Sequence, residues 1–132
     1  MKRLFTLFLC LAMLFGLTAA AFAETSGPEW AVDEEGTLTV RGSTGDYTPD
    51  EPAPWQEQAD VIRRIVVEEG ATAIGSYAFA DLIAAETAVI PDSVAVIGRA
   101  AFASCWALSG ISLGTGVEEI GADAFLDCFA LE

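Results

Sequence analysis

The 132-residue sequence contains no histidine. The commonest general base and the commonest metal ligand are therefore missing, and with them the usual route to an activated serine or cysteine. Basic residues are nearly as scarce. Six Lys and Arg stand against 20 Asp and Glu, a formal net charge of −14. Lys2 and Arg3 lie at the start, which leaves Arg41, Arg63, Arg64 and Arg99 for the rest of the chain. So acidic a chain repels nucleic-acid phosphates and anionic lipid, so no nucleic-acid partner is expected, and the charge reads as a device for solubility. Beyond Cys10 there are two cysteines, Cys105 and Cys128. Two thiols without histidine do not make a structural zinc site. Neither a glycine-rich phosphate loop nor calcium-loop spacing is present. No catalytic residue, cofactor or metal ligand is expected.

Long apolar runs are limited to one, Leu4 to Leu17. Lys2 and Arg3 precede it, and Ala21-Phe22-Ala23 follows with the small-residue form that signal peptidase cleaves. This is the pattern of a secretory signal peptide over residues 1–23, removed before Glu24. The run is borderline in length for a membrane anchor, and the cleavage motif stands where cleavage is expected. Bulky Leu9 before Cys10, and the apolar residues beyond it, disfavour a lipid-modified cysteine. The expected location is secreted or at the cell surface, with no membrane insertion after cleavage.

The rest of the chain carries an internal period of 23 residues. Ile74-Gly75 recurs as Ile97-Gly98 and Ile120-Gly121, and Ala78-Phe79 as Ala101-Phe102 and Ala124-Phe125. Ala71 aligns with Val94 and Val117, and Leu82 with Cys105 and Cys128. Ile62 opens the first unit and aligns with Ala85, Leu108 and Leu131. Repeated columns are apolar while those between them vary, the mark of a solenoid whose units bury their apolar columns against one another. Alternation places Ile65/Val67, Ala88/Ile90 and Ile111/Leu113 on the inner face of short strands. Turns follow at Pro91-Asp92-Ser93 and Gly114-Thr115-Gly116. Val94 to Ile97 reads as a second short extended piece, and Gly75, Gly98 and Gly121 as sharp turns. Stretches 76–82, 99–105 and 122–128 read as one or two helical turns, with Phe79, Phe102 and Phe125 stacked as a buried ladder. The fold class expected is an α/β solenoid of parallel strands and short helical turns, with repeats over residues 62–132.

Ile90-Pro91-Asp92-Ser93-Val94, Ile97-Gly98 and Ala101-Phe102-Ala103-Ser104-Cys105 resemble the BspA-like leucine-rich repeats of bacterial surface proteins. The resemblance covers residues 62–132, with departures at Leu82 in the cysteine column and Ala85 in the leucine column. It implies an extracytoplasmic recognition or adhesion module that binds a protein, of a host or neighbouring-cell surface, rather than an enzyme.

Residues 24–61 do not share the period. Glu29 to Val32 and Thr37 to Val40 alternate like strands around Asp33-Glu34-Glu35-Gly36, which predicts a β-hairpin. A polar stretch from Gly42 to Pro54 follows, and Trp55 opens a short helical piece. The segment suits an N-terminal cap over the first repeat, with Trp30, Val40 and Trp55 as its plug. An aromatic sugar-binding platform formed by Trp30 and Trp55 is the alternative.

Chemistry has little to draw on. Cys105 and Cys128 sit in an apolar column as inert, unpaired thiols, and Ser93 and Ser104 lack a base. The acid pairs Glu68/Glu69 and Glu118/Glu119 fall on variable, solvent-facing columns. The outward strand residues are the candidate protein-binding face: Arg64, Val66 and Glu68, then Thr87, Val89 and Pro91, then Gly110, Ser112 and Gly114. Val66, Val89 and Ser112 form its central stripe. Three strands about 4.8 Å apart offer on the order of 100–150 Å² in projection, against about 800 Å² per partner in a specific interface. A structural fragment of a larger repeat protein with no activity of its own therefore remains an alternative, as does carbohydrate binding. Leu131 and Glu132 open a fourth unit whose strand residues are not in the sequence. The array is thus expected to be incomplete at its C-terminal end, with Ile111, Leu113, Ile120, Phe125 and Cys128 uncovered and available for self-association.

Overall fold

Alternating apolar residues make strands where one face can be buried, and here the buried partner is the neighbouring repeat. The computed structural model describes residues 29–131. The expected signal peptide and Glu132 lie outside the described residues. Eight short strands are arranged in two sheets. They are β1 (Glu29–Val32), β2 (Thr37–Arg41), β3 (Arg64–Val67), β4 (Ala73–Ile74), β5 (Thr87–Val89), β6 (Val96–Ile97), β7 (Gly110–Ser112) and β8 (Glu119–Ile120). The larger sheet has the order β1-β2-β3-β5-β7 and the smaller β4-β6-β8. Strands β3, β5 and β7 pair in parallel at the spacing of the repeat: Ile65 lies against Ala88, and Ala88 against Ile111. The result is a β-solenoid of stacked 23-residue rungs.

The hairpin is present, with β1 antiparallel to β2. Asp33 Oδ1 accepts from the N–H groups of Glu35 and Thr37, both at 2.9 Å, and Gly36 takes the left-handed conformation at φ 82°. β2 then pairs in parallel with β3, setting Leu38 beside Ile65 and Val40 beside Val67. The hairpin thus extends the larger sheet by two strands. One short 3-10 helix, Gln56–Gln58, follows Trp55.

The stretches expected to be helical are not. Residues 76–81, 99–104 and 122–127 are linked turns. Tyr77, Ala100 and Asp123 have φ near 55–60° (56°, 54° and 59°), and Asp81, Ser104 and Asp127 are equally left-handed (62°, 61° and 61°). Both columns keep the 23-residue period. Left-handed backbone costs a non-glycine residue about 1–2 kcal/mol. The compensation lies in what it does to the N–H groups. Those of Tyr77, Phe79 and Asp81 point along the array and donate to the carbonyls of Arg99, Ala101 and Ala103 at 2.9, 2.7 and 2.8 Å. Ala100, Phe102 and Ser104 donate likewise to Ala122, Ala124 and Leu126 at 3.0, 2.8 and 2.7 Å. A helix would have spent those donors inside its own rung.

The glycine column also works differently from expectation. Gly75, Gly98 and Gly121 are not among the residues with positive φ. A Cβ on Gly98 would run into the Ser76 nitrogen and the Gly75 carbonyl carbon, and one on Gly121 into the Arg99 nitrogen and the Gly98 carbonyl carbon. The absent side chain lets successive rungs approach closely, rather than letting the chain turn.

The core runs the length of the array. Phe79 stacks on Phe102 with centroids 5.3 Å apart, and Phe102 on Phe125 at 5.4 Å. Trp55 extends the ladder, 5.5 Å from Phe79 and inclined by 22°. Trp30 and Tyr47 each meet Trp55 edge-on at 5.9 Å.

Candidate interaction surface

Parallel register carries the outward strand residues into rows. Arg64, Thr87 and Gly110 are successive partners across β3, β5 and β7, as are Val66, Val89 and Ser112. The structure therefore brings the candidate residues side by side. Arg64, Thr87 and Ser112 are exposed, Val66 is half-buried, and Val89 is 43% exposed, a high value for a valine in a strand paired on both sides. Glu68 lies just past β3 and is held by Arg41, whose Nε sits 2.9 Å from its Oε1. Because β2 joins the same sheet, Thr37 and Thr39 continue the two rows beyond Arg64 and Val66. The face is thus five strands wide instead of three. At about 4.8 Å per strand this nearly doubles the projected area, to on the order of 200–250 Å².

At one margin of the face is an open cleft of about 310 Å³ lined by Glu35, Arg63, Arg64, Glu86 and Thr87. Arg63 pairs with Glu86 at 3.0 Å, whereas Arg64 forms no ion pair among the described residues. Arg99 likewise forms no ion pair among the described residues.

The groups with chemical potential are occupied in holding rungs together. Cys105 donates its S–H to the Phe79 carbonyl, and Cys128 to that of Phe102, both at 3.1 Å. Both cysteines are unpaired; Cys105 is buried, but Cys128 is only half-buried. Burial, with the neighbouring Cys128 thiol adding to it, pushes the Cys105 thiol up to about 12, and burial raises Cys128 as well. Ser93 Oγ accepts from the Gly70 N–H at 3.0 Å, and Asp92 Oδ1 from the Thr115 N–H at 2.9 Å. Among the described residues, no cluster of three or more His, Cys, Asp or Glu is placed to hold a metal ion. No helix among them is long and apolar enough to cross a membrane. Trp30 and Trp55 are both buried, and Trp55 Nε1 donates to the Ala78 carbonyl at 2.8 Å, so these rings offer no platform to a sugar.

A second surface column had no place among the sequence candidates. Ile83, Trp106 and Phe129 repeat at the 23-residue spacing and are exposed in all three rungs. Apolar identity in a repeated column looks the same in sequence whether the column faces in or out. The available signal was Asp81 and Asp127, acidic residues two positions before Ile83 and Phe129 that mark a solvent-facing neighbourhood.

Residues 57–132 match the family described as "BspA type Leucine rich repeat region (6 copies)". No curated protein matches the chain. Among solved structures, a leucine-rich repeat protein from Eubacterium ventriosum is similar at 26% identity and a TM-score of 0.68, over 75% of this chain and 27% of that one. A leucine rich repeat protein of T. pallidum shares the fold at 20% identity and a TM-score of 0.51, over 83% of this chain and 47% of that one. The chain thus spans about a quarter to a half of the length of these two neighbours. With the repeat model matching more than half of its residues, and the same columns stacked rung on rung in its core, the chain belongs to the BspA-type leucine-rich repeat family.

Proposed function

We propose that this protein is an exported recognition module that binds a protein ligand outside the cytoplasm through the outward face of its larger sheet. Residues 1–23 act as the signal peptide, residues 24–61 form the capping segment, and the rungs from residue 62 carry the binding surface. The observation that supports this reading most directly is the continuous row of side chains on β3 and β5. Exposed Val89 there adjoins Thr87 and the unpaired Arg64, above an open cleft. An exposed apolar centre with a polar, partly charged rim is how protein-binding patches are built. The supporting frame is stiff, because each strand is fixed by its neighbours and by staples such as Arg63–Glu86. Membership of a repeat family of bacterial surface proteins supports export and interaction, and it favours binding over catalysis.

The test is a binding screen of the secreted chain against purified extracellular proteins of its habitat. A ligand of the sheet face should lose about tenfold or more in affinity with Arg64→Glu plus Val89→Asp, and nothing with Asp50→Ala on the polar loop. Ligands indifferent to the double variant would remove the sheet face from consideration.

A further inference from the structure

The surface column Ile83, Trp106 and Phe129 lies outside the sheet face and is independent of it. Their side chains are 43%, 53% and 74% exposed. Some apolar exposure in the third rung arises because the described residues place nothing above it. Leu113 and Ile120 are 39% and 48% exposed, while their counterparts Val67, Ile90, Ile74 and Ile97 are at most 2% exposed. Ile83 and Trp106 do not fit that explanation. Ile83 has rungs on both sides, Trp106 has the third rung above it, and both stay in solvent. A large apolar residue is placed there three times running, which presents on the order of 300 Å² of apolar side chain in one stripe.

We propose that this stripe docks a basic polypeptide segment bearing apolar side chains. The charge around it favours that occupant over others. Asp81 and Asp127 are exposed two residues before Ile83 and Phe129, and Asp60 is exposed just ahead of the first repeat. Between Ser76 and Leu131 the sole basic residue is Arg99. A second copy of the chain would set these carboxylates against their own kind, and anionic lipid would meet the same repulsion. A lysine or arginine side chain gains from the carboxylates and from the exposed face of Trp106, while its apolar neighbours cover Ile83 and Phe129. The stripe is smaller than a standard interface, which suits a short segment bound with about micromolar affinity.

Trp106 also provides the measurement. Trp30 and Trp55 are buried, so a ligand-induced blue shift of tryptophan emission reports on Trp106. The probes are three synthetic peptides: alternating leucine and lysine, alternating leucine and glutamate, and alternating serine and lysine. The leucine–lysine peptide should bind with a blue shift. The serine–lysine peptide should bind about tenfold more weakly, and the leucine–glutamate peptide not measurably. By calorimetry, Trp106→Ser and Phe129→Ser should each weaken the leucine–lysine peptide about tenfold. Asp81→Asn with Asp127→Asn keeps residues that tolerate left-handed backbone, and should weaken binding and flatten its salt dependence. Thr115→Ala, a neutral change on an exposed turn after β7, should leave peptide binding unchanged. Equal binding of the lysine and glutamate peptides would overturn the proposal. So would unchanged affinity in Trp106→Ser and Phe129→Ser, or a blue shift that grows with protein concentration in the absence of peptide.

Discussion

The first and third rungs treat the same columns in opposite ways. At the first rung, Trp55 stacks on Phe79, and its Nε1 donates to the Ala78 carbonyl. The Tyr47 N–H donates to the Ser76 carbonyl at 2.8 Å, and Thr44 Oγ1 accepts the Gly75 N–H at 2.7 Å. These carbonyls are the counterparts of those on Arg99 and Ala101 that accept from the rung before. The irregular segment thus supplies two of the three donors that each rung gives to the next, those to the Ser76 and Ala78 carbonyls. At the third rung, Leu113, Ile120 and Leu126 are exposed, although their equivalents one period earlier are buried. Burial of the large apolar columns is thus a property of the stack; in the third rung after Leu108, only the small Ala124 stays buried without a rung above it among the described residues.

The largest effect should come from removing the aromatic that closes the first rung. Trp55→Ala is expected to cost about 3–5 kcal/mol in urea unfolding, and Phe125→Ala, in the partly exposed third rung, less than half of that. Equal losses would abolish the distinction between the two rungs. Next is Thr44→Val, which keeps shape but leaves the Gly75 N–H buried without an acceptor. It should cost about 1–3 kcal/mol, seen as a lower urea midpoint with unchanged slope.

A third contrast uses pH. The folded Cys105 thiol is raised from 9.0 to about 12, so its contribution is complete below about pH 9 and is lost as pH climbs toward 12. In that window stability should fall by up to about 1.4 kcal/mol per pH unit. Cys105→Ala should flatten the decline more than Cys128→Ala, as denaturation midpoints measured at several alkaline pH values would show. Tyr47, also raised by burial, contributes a residual slope in both variants. In the native state Cys128 should alkylate well before Cys105, read by intact mass. The smallest effect belongs to the exposed column. Trp106→Ser should change stability by under about 0.5 kcal/mol, because its exposure is not an end effect. A larger loss would mean that the column supports the stack.

The period, the strand faces and the phenylalanine ladder were legible because they depend on which residues are apolar and at what spacing. The hairpin was legible from Asp33 and Gly36, whose turn chemistry is local. The arcs were not. Tyr, Ala and Asp fill one left-handed column and Asp, Ser and Asp the other, and only the second has a composition that hints at left-handed backbone. Their conformation is chosen by hydrogen bonds to the next rung, which no window of local sequence contains. The role of Gly98 was misplaced for the same reason, since what crowds it is backbone a full period away. Of the candidate surface, the rows on β3, β5 and β7 could be read, but the two strands added by the hairpin depended on a parallel pairing between β2 and β3 that alternation alone does not specify.

The arcs have an electrical consequence. On the strand sides, bonds between rungs run both ways: Ile90 N–H reaches forward to the Ser112 carbonyl, and Glu86 N–H reaches back to that of Arg63. Their dipoles largely cancel. In the arcs, the N–H groups of residues 77, 79 and 81, and of 100, 102 and 104, all point toward higher residue numbers. Their dipoles add, as peptide dipoles do along a helix. One side of the described rungs therefore carries a standing polarisation, positive toward higher residue numbers, which the strand sides lack.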